Sequence, residues 1–239
     1  WTWADMAAAA QAITDAGLTT STGAQVLGFS AAADRNRWLA FFYANGGDLF
    51  DADGNVVWNS PEGVEALEFY ASFVANGTGA TPANLGGAGW NGEAFGRGLA
   101  AMTIEGNWAI GYLETDFPGL NWGVVEIPVS PNGGRGTLTF TECWAVGANT
   151  RYPDEAWALV NFLTGVEGAM TVATSGFGVM PARISAADAW LETRGEQFAA
   201  FVAGAEYAVA PVFPLGFGDF VSVVDSGTVA VMNGTETAQ

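Results

Sequence analysis

Lysine and histidine are both absent from this 239-residue chain, cysteine occurs once, and charged residues make up only 13%. Each absence removes chemistry. Without histidine there is no Ser-His-Asp triad and no imidazole metal site. Without lysine there is no Schiff base and no P-loop. The single Cys143 has no partner for an internal disulfide, and as a nucleophile it would lack the usual histidine base. Carboxylates remain as the common acid–base groups. No run of about 18 consecutive apolar residues occurs, so no segment reads as a membrane span. No leader peptide is recognised at the front. The chain opens on Trp1-Thr2-Trp3, an abrupt start that reads as if upstream sequence had been removed.

What is present is apolar and acidic. Hydrophobic residues make up 50%, with 16 Phe and 10 Trp, enough large side chains for a sizeable core and too many for a disordered chain. At roughly 150 residues per domain the length fits one large domain or two modest ones. Twenty-five acidic residues against seven basic ones, all arginine, give a net charge of −18. Nucleic acid and anionic membrane surfaces require basic patches, so both are disfavoured as partners.

Periodicity and punctuation predict many helices and few strands. Thr2-Trp3-Ala4-Asp5 is a capping-box opening for a helix that Gly17 ends. A second helix is expected over 31–45, stopped by Gly46-Gly47. A hairpin turn is expected over 51–55, and a helix follows behind Ser60-Pro61 with Val64, Leu67, Ala71 and Val74 on one face. Residues 77–92 read as loop. Strands are expected over 100–104, 122–127 and 138–146. Further helices are expected over 107–114, 153–163, 166–174, 186–192, 195–204 and 220–232. Residues 128–136, with two prolines and three glycines, suit a crossing between lobes. The class is α/β. Asp51-Ala52-Asp53-Gly54-Asn55 imitates the opening of a calcium loop without completing its oxygen ligands, and a hairpin turn is the better reading. Cys143 reads as a small buried hydrophobe.

Several segments carry a family resemblance, in one collinear order: "TWADMAAAAQAI", "WLAFFYANGGDLFDADGNVVWNSPEGVEALEFY", "FGRGLAAMTIEGNWAI", "WGVVEIPVSP", and "EAWALVNFLTGVEG" followed by "GFGVMPAR". Together the chain resembles the carbohydrate-type extracellular solute-binding proteins of ABC importers, the class that includes maltose-binding protein. The resemblance implies a type II periplasmic-binding-protein-like fold: a helix-rich second lobe plus a partial first lobe. Residues 1–130 would form the first part of the second lobe, 131–178 the hinge crossing and a returning first-lobe segment, and 179–239 the closing part of the second lobe. About a hundred residues of first-lobe sequence have no counterpart here. It further implies a mono- or oligosaccharide held in an interlobe cleft, permease subunits as partners, a monomer, no cofactor, and a periplasmic or lipoprotein location.

A sugar offers hydroxyls at its edge and apolar C–H faces, so its site needs aromatic platforms and carboxylates or amides. Trp108 is the first candidate. In the family, the tryptophan after this glycine stacks on ligand; the alternative is a core residue of its helix. Glu105 and Asn107 bracket Gly106 at the same strand-to-helix turn, where plain capping is the alternative for Asn107 and a solvated side chain for Glu105. Glu142 is a carboxylate inside an otherwise apolar strand, costly unless paired or exposed at a cleft. Phe217 and Asp219 lie in a loop that matches one reaching the family's cleft. Trp90 sits in a glycine-rich loop where core packing explains an aromatic poorly. Arg37 and Trp38 complete the set, although the spacing of Trp38 also fits a core position. Two other readings stay open. One is a glycoside hydrolase using paired carboxylates such as Glu105 and Glu142; the other is a non-binding fragment of a solute-binding protein.

Overall fold

The computed structural model describes residues 1–213 and 216–239. Two compact units emerge. Unit 1 comprises Trp1–Glu105, Ile127–Thr139 and Tyr207–Gln239; unit 2 comprises Gly106–Glu126 and Phe140–Glu206. The expected segment bounds at 130/131 and 178/179 fall inside these stretches rather than at their edges.

Unit 1 is built on a parallel sheet. Its strands are β1 (Leu27–Ser30), β2 (Gly79–Ala80) and β3 (Ala100–Thr103), in the order β2-β1-β3, with Phe29 opposite both Gly79 and Met102. Helix α1 (Trp3–Asp15) opens on the expected capping box: Thr2 Oγ1 accepts from the Asp5 amide, and the Asp5 carboxylate accepts from the Thr2 amide. It lies directly on β1. A Cβ on Gly28 would stand 2.3 Å from the Ala10 carbonyl oxygen, so only glycine permits this approach. Helix α2 (Arg35–Ala44) begins later than expected, because the Asp34 carboxylate accepts from the Asn36 amide and caps it there. Gly46, at φ +90°, ends it. Helix α3 (Pro61–Ala75) starts behind Ser60 as expected; Leu67 and Ala71 of the expected face are buried beside Ala66, Tyr70 and Phe73, whereas Val64 and Val74 are only half-buried. Trp3, Phe29, Trp38, Phe41, Phe42, Tyr70 and Phe73 form the main core, each burial contributing roughly 1.5–3 kcal/mol.

The segment expected as loop over 77–92 supplies β2 and the start of α4 (Asn91–Gly96). Parallel pairing fits so short a strand because Gly79, lacking a Cβ, sits against the Phe29 carbonyl. The turn over 51–55 forms as expected: Phe50 bridges Val56, and Asp51 Oδ1 accepts from the Asp53 and Asn55 amides. Strand β4 (Thr137–Leu138) pairs in parallel with β5 (Ala208–Val209), and α10 (Gly218–Met232) closes the unit.

Unit 2 is helical: α5 (Ala109–Asp116), α6 (Pro153–Thr164), α7 (Val166–Ala173), α8 (Ala187–Arg194) and α9 (Ala199–Gly204). Its core gathers Ile110, Ala173, Trp190 and Phe198. The loop at 175–178 packs straight onto α5, where a Cβ on Gly111 would lie 2.0 Å from the Gly176 carbonyl oxygen. Three expectations are corrected here. Residues 122–127 form no strand, and of 138–146 only Leu138 is in a ladder. An alternating sequence supplies one side of a ladder, and no described strand supplies the other. Cys143, expected buried, is therefore exposed.

Candidate functional site

In unit 1 the chain runs from β1 to β2 on one side and then to β3 on the other. The region outside the carboxyl ends of β1 and β3 is thus a topological switch point, the place where open α/β sheets take ligands. Two sequence candidates meet there. Arg37, in the first turn of α2, follows β1; Glu105 follows β3. Both Arg37 Nη2, at 2.9 Å, and Nε, at 3.3 Å, donate to Glu105 Oε1. The Asp34 carboxylate stands 3.9 Å from Arg37 Nη1. The Glu105 side chain is 5% exposed and that of Arg37 15%. Beneath the pair, the Tyr70 hydroxyl donates to the Ala32 carbonyl. Burial pushes its phenol well above the usual range, opposed by the Arg37 charge and reinforced by those of Asp34 and Glu105.

The same edge carries a polar floor. Ser30, the last residue of β1, donates from Oγ to Asn91 Oδ1 at 2.8 Å, and the Thr103 hydroxyl donates to the Ser30 carbonyl at 3.3 Å. Asn91 is 1% exposed and its Nδ2 has no hydrogen-bond partner. Trp90, half-buried, precedes it, and its ring folds over Gly92, where a Cβ would lie 2.2 Å from Cη2. Sequence reasoning missed Asp34, Asn91 and Ser30. The readable signal for Asp34 was a capping acid before the Trp38–Phe42 run. Ser30 and Asn91, 61 residues apart, carried none.

Unit 2 holds Trp108, Asn107 and Glu142. Trp108 is half-buried just before α5, edge-on to Phe140 with centroids 5.7 Å apart. Its ring lies over Gly106, where a Cβ would be 2.2 Å from Cζ3. The carbonyls of Gly106 and Asn107 accept from the Ala109 and Ile110 amides, so this turn itself starts the helix. Glu142 is exposed on an extended segment outside any ladder, so the cost of a carboxylate in an apolar strand does not arise.

The remaining candidates lie elsewhere in unit 1. Trp38 is withdrawn: it is 1% exposed, donates from Nε1 to Thr228 Oγ1 at 3.0 Å, and packs against Phe42 and Trp58, so no solute reaches it. Phe217 is half-buried between Phe50 and Phe220, and Asp219 is exposed in the first turn of α10. Pro214 and Leu215 of the same loop lie outside the described residues.

Comparison with known proteins gives these features a setting. The model of the bacterial extracellular solute-binding protein family matches residues 1–210. Putative binding proteins of Brucella abortus and Brucella suis are 24% identical over 153 residues, covering 62% of this chain and 37% of theirs. An ABC substrate-binding protein of Listeria monocytogenes, solved in complex with cycloalternan, superposes with a TM-score of 0.79 at 23% identity, covering 100% of this chain and 60% of that one. Maltose-bound MalE3 of T. maritima gives 0.74 at 20% identity, over 99% and 61%. The chain therefore spans about three fifths of the solved structures and under two fifths of the curated relatives. Its fold is the type II periplasmic-binding-protein α/β fold, present in part.

Proposed function

Because the chain belongs to the family of bacterial extracellular solute-binding proteins, we propose that it captures a mono- or oligosaccharide outside the cytoplasm for an ABC importer. One observation supports the reading most: Arg37 and Glu105 converge at the carboxyl ends of β1 and β3, where this class of sheet takes ligands. Trp90 offers an aromatic surface on the same edge, as a platform for the C–H face of a sugar, and Trp108, within unit 2, is a separate candidate platform of the same kind. In this reading residues 1–130 and 179–239 serve the second lobe and 131–178 the crossing and returning first-lobe segment. The sugar sits between lobes whose closure is read by permease subunits. The protein is periplasmic or lipid-anchored and acts without catalysis.

Isothermal calorimetry with maltose and cycloalternan, on the chain and on Trp108→Ala, tests the proposal. Saturable binding is expected, weakened roughly 30-fold or more by the loss of an aromatic anchor. Aryl glycosides are expected to stay intact. Turnover of an aryl glycoside, or no binding of any glycan, would refute the reading.

A further inference from the structure

The charge arrangement in this region points to a specificity device. An arginine just beyond the carboxyl end of a strand, with its planar fork of donors, is ordinarily a site for carboxylate, sulfate or phosphate. Here Arg37 is already engaged. Nε and Nη2 both donate to Glu105 Oε1, and Asp34 stands 3.9 Å from Nη1. Counting Arg37, Glu105 and Asp34 alone, one cation and two carboxylates sum to −1. Glu105 cannot swing aside into water, because its side chain is 95% buried at its place beyond β3. An anionic solute entering the region would meet net negative charge and would have to displace a buried carboxylate. A hydroxyl, donor and acceptor at once, meets no such repulsion. The whole chain, at −18, adds a field of the same sign.

We infer that Glu105 masks Arg37 and so restricts the region to uncharged solutes, making the pair a filter against acidic sugars. The inference rests on the sugar-binding reading for its ligand, while the masking itself is a property of the unliganded protein. It predicts that removing the mask, rather than the arginine, changes what is bound.

The test compares the wild-type chain, Glu105→Gln, and the double variant Arg37→Gln/Glu105→Gln, in two measurements. The first is phenylglyoxal labelling of Arg37, read by peptide mass spectrometry. Labelling is expected to rise about tenfold or more in Glu105→Gln. The second is calorimetry with glucose and with glucuronate, which differ by a carboxylate. The wild type is expected to prefer glucose by about tenfold or more. In Glu105→Gln that preference shrinks by a similar factor, and the double variant gains no affinity for glucuronate. Should Glu105→Gln not fold, Glu105→Asp withdraws the carboxylate by one methylene and reads the same rise in labelling. Unchanged labelling overturns the inference, as does a wild type that takes glucuronate as well as glucose. If no chain binds either monosaccharide, glucose is not a ligand, and the transport reading stands or falls on the oligosaccharide calorimetry above. Labelling then decides the mask: a tenfold rise sustains it and an unchanged rate ends it.

Discussion

Gly106→Ala separates the stability of unit 2 from its proposed recognition surface. Gly106 does not occupy the left-handed region, so alanine suits its backbone. The obstacle is the indole of Trp108. The new Cβ would stand 2.2, 2.4 and 2.5 Å from Cζ3, Cη2 and Cε3, where ordinary contact begins at 3.4 Å. The ring must therefore shift by about 1.2 Å, the difference between 3.4 and 2.2 Å, which disturbs its edge-on contact with Phe140. That contact is worth about 0.5–1.5 kcal/mol. Against it, alanine stabilises by about 0.4–1 kcal/mol through the unfolded chain. The net change in stability is expected to stay within about 1 kcal/mol by denaturant unfolding. Under the proposed sugar-binding function, affinity for maltose is expected to fall roughly tenfold, about 1.4 kcal/mol, in calorimetry, because the proposed platform itself is displaced. Unaltered affinity would remove Trp108 from the site. A stability loss above about 2 kcal/mol would make its ring a structural element, the other reading its sequence position allowed.

Two further outcomes follow from burial. Thr228→Val leaves the buried Trp38 Nε1 without its acceptor and is expected to cost about 1–3 kcal/mol in urea unfolding; Thr228→Ser, keeping the hydroxyl, loses under about 1 kcal/mol, and equal losses would refute the hydrogen bond's role. Burial, and then the Asp48 charge, push the Tyr43 phenol up to about 12. The neutral phenol is favoured by the fold, so its contribution is complete below the unfolded value near 10 and is lost as pH rises toward 12. Phenolate absorbance from Tyr43 should then appear together with alkaline unfolding; a phenolate rise near pH 10 in the intact fold, beyond what Tyr43→Phe shows, would refute it.

Sequence alone determined what is local. Thr2 with Asp5, and Ser60 with Pro61, fixed two helix starts, since a cap acts within one turn of its own residues. The acidic, lysine-free and histidine-free composition bounded the chemistry, and collinear segments carried the family. Only the tertiary structure decided what depends on partners distant in the chain. Leu27–Ser30 became a central strand because Gly79–Ala80 and Ala100–Thr103 flank it, and residues 139–146 joined no ladder because no described strand lies beside them. Trp38 passed from candidate to core through Thr228, 190 residues away. Arg37 and Glu105, 68 residues apart, became one ion pair only when the parallel sheet brought the ends of β1 and β3 together. Hydrogen bonds and charge pairs act over a few ångströms of space, and periodicity records only the neighbours a residue has along its own element.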